Sequence, residues 1–316
     1  MLLLMFPVAM GVGLAMQTAV NAKLRGFVGS PYLSSGVSFL IAWLFLLLLS
    51  WTTHQTLVIS SSFITQHPGW LWLGGLFGAI ALTGNVVLFQ KIGSLQTTVL
   101  PIMGQIMMST LIDQFGLFQS PTNPLTLAKV TGLLLIIGGV ILSLGLFDPR
   151  APLLKATEQR THRGSQLLYQ IFAVLAGMLM AMQTAINGYL GTTLHSPIHA
   201  AFISFSIGVL CLILVNLFTR SHLTNLRRAF AQGRRYWWVW IGGVIGALYV
   251  LCSSWLVPLI GTGQVVVLAL FGQLVFSALV ENFGLFGSQV NRITRSKIIG
   301  LVIMFVGVLT VKVITF

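Results

Sequence analysis

Most of this sequence consists of apolar runs of about 20 residues, the length that a helix needs to cross about 30 Å of hydrocarbon. Only 7% of the residues are charged, whereas soluble domains carry about 25%. The chain therefore lacks the polar side chains that would cover a soluble surface. Because a segment in lipid must satisfy its own backbone hydrogen bonds, we expect an all-α integral membrane protein.

The apolar runs predict ten transmembrane helices. They lie at about residues 2–23, 32–51, 70–90, 96–117, 127–147, 167–190, 199–219, 236–256, 263–285 and 297–315. The runs at 96–117 and 263–285 are the least distinct, because polar residues interrupt them. No basic segment precedes the first run, so a cleaved signal peptide is not expected.

The two halves of the chain share a repeated sequence at an offset of 166 residues, which becomes 168 after a short insertion. The matched segments are 15–21 with 181–187, 72–79 with 240–247, and 115–118 with 283–286. Chance similarity between apolar runs would not keep polar residues in register. We therefore predict two five-helix repeats, residues 1–147 and 167–316, joined by a charged cytoplasmic linker at 148–166.

Five helices in each repeat mean that the second repeat enters the membrane upside down. All Lys and Arg residues except Lys129 and Lys312 lie in or beside the loops that follow odd-numbered spans. The positive-inside rule assigns these loops to the cytoplasm and both termini to the outside. The net charge of +13 is thus expected to face anionic lipid, and no nucleic-acid partner is predicted.

Amide side chains inside the apolar runs are candidates for lining a substrate cavity. The candidates are Gln17, Asn21, Gln183, Asn187, Gln105 and Gln273. The first four form two pairs with a spacing of four residues, which places both amides of a pair on one helix face. Amides also join helices by hydrogen bonds, and that role is the alternative. Retention of both pairs after the duplication favours the cavity.

Asp113 and Glu281 occupy equivalent positions near the ends of two predicted spans. A carboxyl group inside the membrane is a functional candidate, and proton coupling is the role considered for both residues. A hydrated acid at a helix end is an equally weighted alternative. No sequence pattern indicates a metal site, a cofactor or a catalytic nucleophile, so an enzyme is not predicted.

Glycines four residues apart, Gly74 with Gly78 and Gly242 with Gly246, predict close helix packing. These glycines, the repeated Gln-x3-Asn, the Ser-Pro loops and the Asp/Glu-x-Phe-Gly motif resemble the YdcZ-like family of the drug/metabolite transporter superfamily, in a fused two-copy form. The resemblance covers about residues 2–147 and 167–315. It implies a carrier in the bacterial inner membrane.

Small multidrug resistance proteins, which are better understood relatives, carry an essential glutamate in the first helix. Gln17 and Gln183 replace it here, so their proton/drug exchange mechanism does not transfer directly. If protons drive transport, Asp113 or Glu281 is expected to carry them.

We expect alternating-access transport of a small polar or amphipathic molecule, with the lipid bilayer as the other partner. Because both repeats lie in one chain, no partner protein is required, and a homodimer is left open. The alternative is a structural or lipid-handling membrane protein that does not transport. An intramembrane enzyme is disfavoured further, because no clustered catalytic set occurs within the runs.

Overall fold

A computed structural model describes residues 2–143, 163–219, 225–233, 236–288 and 293–313. Within these ranges the regular secondary structure is helical. The helices are α1 Leu2–Val28, α2 Pro31–Thr52, α3 Ser61–Gln66, α4 Leu73–Phe115, α5 Leu127–Ser143, α6 Arg163–Thr193, α7 Pro197–Phe218, α8 Asn225–Gly233, α9 Ile241–Ile260, α10 Thr262–Phe283 and α11 Arg295–Val313. Most of the predicted linker at 148–166 lies outside the described residues.

Among the described residues, six helical segments are long and apolar enough to cross a membrane. They are Leu3–Val28, Pro31–Thr52, Gln166–Thr193, Pro197–Phe218, Trp237–Ile260 and Thr262–Phe283. A shorter apolar helix is α5. The predicted spans 70–90 and 96–117 fall largely within the single element α4. The structure thus shows a multi-pass helical protein, with six helices of this length and apolarity in the described part.

Two distant points on helix α4 meet the same turn of α6, which shows that α4 reverses its direction. A methyl group on Gly78 would lie 2.6 Å from Oε1 of Gln183. Ile112 packs with Ala181 and Ala185, on either side of that glutamine. A straight helix would separate Gly78 from Ile112 by about 50 Å. The element therefore folds back on itself and has two arms, a first arm that contains Gly78 and a second arm that contains Gly104 and Ile112.

The first helix of each half packs against helices of the other half. A methyl group on Gly11 of α1 would overlap the carbonyl oxygen of Ala269 in α10. Likewise, a methyl group on Gly104 in the second arm of α4 would overlap the carbonyl oxygen of Val174 in α6. Glycine permits this contact between backbones. The two halves are therefore interlocked, and their first helices contribute to one common core.

Matching residues end and begin helices in the two halves. Ser30 and Ser196 are the N-caps of α2 and α7, where each hydroxyl accepts a hydrogen bond from a backbone N–H three residues on. Gly116 and Gly284 end α4 and α10 in left-handed conformations, with φ of 61° and 62°. The repeated sequence therefore produces repeated local structure.

Helices α5 and α11 form a close lateral pair. A methyl group on Gly139 would lie 2.6 Å from both the carbonyl oxygen of Gly300 and the amide nitrogen of Met304. Ile136 and Met304 are fully buried and belong to the largest apolar cluster among the described residues. This pair forms a compact edge of the bundle, and its contacts involve backbone as well as side chains.

We name the two ends of the bundle after the acidic residue at each. At the Asp113 end, the ring of Trp70 lies 5.4 Å from that of Phe118 and 5.5 Å from that of Tyr189, measured between centroids. Ser196 also donates a hydrogen bond to Gln55 at this end. These contacts tie together the connections on one side of the bundle.

At the Glu281 end, the rings of Trp238 and Phe286 lie 5.7 Å apart. Nδ2 of Asn225 donates a hydrogen bond of 3.0 Å to the carbonyl oxygen of Val28. The connections after the first, seventh and ninth predicted spans therefore meet at this end. These are three of the basic loops that the sequence assigns to the cytoplasm.

Candidate functional site

The amide pair of the first half lies against glycines of the second half. A methyl group on Gly246 would lie 2.5 Å from Nε2 of Gln17, and one on Gly242 would overlap Oδ1 of Asn21. Both glycines belong to α9, whereas both amides belong to α1. Because glycine has no side chain, these two positions of α9 leave the space that the two amide groups occupy.

The second half repeats this arrangement with the halves exchanged. Gln183 lies against Gly78, and Asn187 lies against Gly74, where a methyl group would overlap Oδ1 of the asparagine. Gly74 and Gly78 begin the first arm of α4. The glycines predicted for helix packing and the amides predicted for the cavity thus form one repeated contact.

The two amide sites differ in their hydrogen bonds. Asn187 is 1% exposed, and its Nδ2 donates a hydrogen bond of 3.1 Å to Oγ of Ser204. Asn21 is only half-buried. Oγ of Ser38, the counterpart of Ser204, is buried and has no hydrogen-bond partner among the described residues. One site is therefore closed by a hydrogen bond that the other site lacks.

The amide oxygens of Asn21 and Asn187 also have no conventional donor in the described part of the chain. Each oxygen lies where a methyl group of the facing glycine would be, so it points toward a Cα–H group. Weak Cα–H···O contacts of this kind recur where helices pack closely. They give a physical reason for pairing asparagine with glycine at both sites, while leaving the oxygens able to accept a stronger donor.

Gln105 is 9% exposed in the second arm of α4, and Gln273 is half-buried in α10. Their neighbours Gly104 and Gly272 make the backbone contacts with α6 and α1. Among the described residues, no hydrogen bond joins either glutamine to the four amides of the repeated contact. The structure thus places Gln105 and Gln273 at helix interfaces, apart from that contact.

Asp113 closes the start of α10. Its Oδ1 accepts a hydrogen bond of 2.9 Å from the backbone N–H of Thr262, and its Oδ2 accepts one of 2.9 Å from that of Gly263. The residue is 5% exposed. The N-terminus of a helix carries partial positive charge, which stabilises a carboxylate there. The acid therefore joins the end of α4 to the start of α10 in the other half.

A third hydrogen bond supports this junction, since the hydroxyl groups of Ser120 and Thr262 lie 2.9 Å apart. The backbone carbonyl of Asp113 also accepts a hydrogen bond of 2.7 Å from the N–H of Asn123. Three hydrogen bonds that involve side chains and one between backbone groups thus hold the same corner of the fold.

Lys129 is 7% exposed and lies close to this corner. Its Nζ donates hydrogen bonds to Oδ1 of Asn123 and, at 2.7 Å, to the carbonyl oxygen of Pro124. Lys129 and Asp113 line the same cavity of about 40 Å³, which is large enough for a water molecule. The lysine is therefore near the acid, while its hydrogen bonds go to other groups.

Glu281 has a different partner from its counterpart. Its Oε2 lies 2.5 Å from Nζ of Lys297, which is the counterpart of Lys129. The side chain of Glu281 is 44% exposed, and that of Lys297 is 16% exposed. Equivalent acids thus occupy a buried helix cap at one end of the bundle and a partly solvated ion pair at the other.

The structure separates the predicted site residues into two groups. The four amides of the repeated contact lie between the halves, whereas Asp113 and Glu281 lie at opposite ends of the bundle. Sequence reasoning did not assign roles to Lys129, Lys297 or Thr262. A signal for the lysines was present, because Lys129 departs from the basic-loop pattern and aligns with Lys297. In the described residues, no group of three His, Cys, Asp or Glu side chains could hold a metal ion.

A family model described as "Putative inner membrane exporter, YdcZ" matches residues 2–142 and 168–310. A solved structure described as "Crystal structure of protein" is 13% identical, with a TM-score of 0.65 and 98% of each chain covered. That similarity shows a shared fold. No curated protein matches the chain.

Proposed function

This chain belongs to the YdcZ family of inner membrane exporters, and from this premise we propose that it carries a small polar or amphipathic molecule across the membrane by alternating access. The proposal rests on one observation: the acids Asp113 and Glu281 occupy equivalent positions in the repeat but have different partners. Membership of a transporter family argues against an enzyme.

The proposed topology is an inverted pair of five-helix repeats that together span the membrane ten times. The two arms of α4 would be the third and fourth spans, equivalent to α9 and α10. The interlocked glycine contacts support this, because the Gly11 contact with α10 has its counterpart at Gly177, which meets the backbone of Pro101 in the second arm of α4. Both termini would then lie outside, and the Glu281 end would face the cytoplasm.

Reporter fusions test this orientation. Fusions after Ser62 and His195 are expected to report the outside, and fusions after Thr157 and Ala231 the cytoplasm. The reverse pattern at these points would overturn the proposed orientation.

The amide–glycine contacts are the proposed substrate site. Amides offer both donors and acceptors to a polar molecule, and the oxygens of Asn21 and Asn187 lack conventional donors among the described residues. Each contact joins a helix of one half to a helix of the other. A substrate that replaced these contacts would therefore act on the relative position of the halves. Gln105 and Gln273 would contribute from the neighbouring interfaces.

A ligand screen by thermal unfolding of the detergent-purified protein tests this site. A panel of small polar and amphipathic metabolites is expected to contain compounds that raise the unfolding temperature of the wild type, with the shift lost in Gln17→Ala and Asn187→Ala. Thr18→Ala is the matched control, because Thr18 is exposed on α1 beside Gln17. Equal shifts in all variants would show that the amides only join helices.

Proton coupling by Asp113 and Glu281 is the proposed energy source. The acids occupy opposite ends, so one carboxyl group would be available on each side of the membrane. The flux of a compound found by the ligand screen into proteoliposomes should depend on a pH gradient in the wild type. This dependence should be lost in Asp113→Asn or Glu281→Gln. Flux that keeps its pH dependence in both variants would remove these residues from the coupling mechanism.

A further inference from the structure

A lateral groove of about 320 Å³ runs between α10 and α11. Sites for small molecules usually measure about 300–1,000 Å³. The side chains that these two helices contribute to its lining are all apolar: Phe271 and Val275 in α10, and Ile298, Leu301, Val302 and Phe305 in α11. The groove therefore offers space to an apolar chain.

The groove follows one face of α11 over the depth of one membrane leaflet. Ile298, Val302 and Phe305 share this face, and their exposed fractions are 53%, 56% and 46%. At the deep end, the ring of Phe305 lies 5.5 Å from that of Phe271. From Arg295, where α11 begins, to Phe305 the helix rises by about 15 Å. Since the hydrocarbon of a bilayer is about 30 Å thick, this length corresponds to one leaflet.

A hydrogen bond marks the other end of the groove, at the Glu281 end of the bundle. The backbone N–H of Ile293, which also lines the groove, donates a hydrogen bond of 3.0 Å to Oδ1 of Asn282. Asn282 lies two turns beyond Val275 on the same face of α10. Its Nδ2 carries two further donors. Polar groups thus replace apolar ones where the groove reaches the end of α10.

Arg295 brings a positive charge to the same end. It is exposed and lies one turn before Ile298, on the groove face of α11. Because helical side chains tilt toward the N-terminus, Arg295 extends toward the membrane surface. Glu281 pairs with Lys297, and no ion pair joins Arg295 to an acid among the described residues. The planar guanidinium group matches the geometry of a phosphate group.

The first half repeats the frame of this end without the arginine. The backbone N–H of Leu125 donates a hydrogen bond of 2.6 Å to Oε1 of Gln114, as that of Ile293 does to Asn282. The position equivalent to Arg295 is Leu127, which is 85% exposed. The hydrogen bond is therefore common to both halves, whereas the positive charge beside the groove belongs to the Glu281 end.

We propose that this groove binds a phospholipid with an anionic headgroup, from the leaflet that the Glu281 end faces. One acyl chain fills the groove as far as Phe271 and Phe305. Arg295 binds the phosphate oxygens, and Asn282 is a further donor to them. A lipid fits better than a soluble apolar molecule, because the groove combines the depth of one leaflet with a cation at its end.

This inference rests on the proposed ten-span topology, in which α11 crosses the membrane, and not on the transported molecule. In the proposed orientation the bound lipid comes from the cytoplasmic leaflet, whose anionic lipids attract basic residues. The reporter fusions test that orientation separately.

Native mass spectrometry of the delipidated protein in detergent tests the headgroup site. The probes are phosphatidylglycerol and phosphatidylcholine with identical acyl chains. The wild type should retain more phosphatidylglycerol, because the choline cation of the other lipid opposes Arg295. Arg295→Gln should lower the binding of phosphatidylglycerol about tenfold, the usual effect of losing a hydrogen bond to a charged group. Arg227→Gln is the matched control, since Arg227 is exposed on α8 at the same end, and it should keep the preference.

A second pair of variants tests the acyl-chain site. Val302→Trp should fill the groove and lower the retention of both lipids. Leu134→Trp is its control, because Leu134 occupies the equivalent position in α5 and is 64% exposed. Gel filtration and circular dichroism identify variants that do not fold. If Arg295→Gln is one of them, Arg295→Leu takes its place, since the first half carries leucine at that position.

Three results would overturn the proposal. Equal retention of the two lipids by the wild type would exclude an anionic headgroup site. Unchanged binding of phosphatidylglycerol in Arg295→Gln, or an equal loss in Arg227→Gln, would show that Arg295 does not hold the headgroup. Equal losses in Val302→Trp and Leu134→Trp would place the lipid outside the groove. None of these results bears on transport, which the ligand screen tests.

Discussion

The Asp113 end and the Glu281 end of the molecule are built from matching sequence but are joined in different ways. At the Asp113 end, a carboxylate that is 5% exposed caps a helix of the other half through two hydrogen bonds. At the Glu281 end, the equivalent acid is 44% exposed and contacts a lysine of its own half. The difference lies in the partners, because both residues carry a carboxyl group and occupy equivalent positions in the repeat.

The repeated sequence is therefore compatible with more than one set of contacts, and the two ends of the molecule use different ones. If the two halves had identical conformations, both ends would show the same contact, either the helix cap or the ion pair. The observed combination of one cap and one ion pair is what an inverted pair would show in one of two exchangeable conformations. The comparison can therefore be tested by removing the same group at each end.

Removal of the acids gives the largest predicted effects. Asp113→Ala deprives two backbone N–H groups at the start of α10 of their acceptor, and we expect it to lower the free energy of unfolding by about 3 kcal/mol. Glu281→Ala removes a partly exposed ion pair, and we expect a loss of about 0–1 kcal/mol. SDS-induced unfolding in mixed micelles measures both values.

A matched control for the acids is Gln114→Ala, which removes a polar side chain next to Asp113. Its Oε1 accepts a hydrogen bond from the exposed backbone of Leu125. We expect a loss of about 1 kcal/mol, the usual net contribution of one such bond. Equal losses for Asp113→Ala and Glu281→Ala would show that the two ends are held equally, contrary to the comparison.

The helical elements and the amide pairs were accessible from sequence, because their signals are local. Apolar length predicted the membrane helices, and spacing placed Gln17 and Asn21 on one face. The contact of each amide pair with a helix of the other half could not be predicted from the sequence. Periodicity shows that a face is special, but it does not say whether Gly242 in the second half or Gly74 in the first lies opposite Asn21.

Two other features escaped the sequence for physical reasons. A reversal between the predicted spans 70–90 and 96–117 was expected from the sequence, but the continuation of helix α4 through that reversal was not; the corresponding point in the other half is interrupted at Gly261, with φ of +85°. The cap formed by Asp113 joins residues about 150 positions apart, and its partners are backbone groups. Backbone donors carry no residue-type signal, so nothing in the sequence pointed from the acid to the start of α10.

Glycines at the contact between the halves give the next largest predicted effect. A methyl group on Gly75 would overlap the carbonyl oxygen of Ser204, and one on Gly243 would overlap that of Ser38. We therefore expect Gly75→Ala and Gly243→Ala each to cost about 1–3 kcal/mol of unfolding free energy through overpacking. Equal costs would show that the two glycine contacts are alike. The halves would then differ only in the contacts of their polar groups.

Gly138→Ala is the control for these substitutions, because no atom lies within 4 Å of a methyl group placed there. Alanine also favours the helix over glycine by about 0.5–1 kcal/mol, so this variant should be neutral or slightly more stable. A loss at Gly138 as large as that at Gly75 would show that the cost is not caused by the contact between the halves.

The asparagines give the smallest predicted difference and the finest test of the inequality. Asn187 donates to Ser204, whereas the described structure gives the side chain of Asn21 no conventional hydrogen bond. Interhelical hydrogen bonds in membranes contribute about 0.6 kcal/mol on average and up to about 1.7 kcal/mol. We expect Asn187→Ala to destabilise the protein by such an amount and Asn21→Ala by less.

Ser204→Ala should reproduce the loss at Asn187, and the double variant should add little, because both substitutions break the same hydrogen bond. If Ser38→Ala instead matched Ser204→Ala, the two amide sites would be equally closed in solution, and the inequality would be limited to the acids at the ends of the bundle.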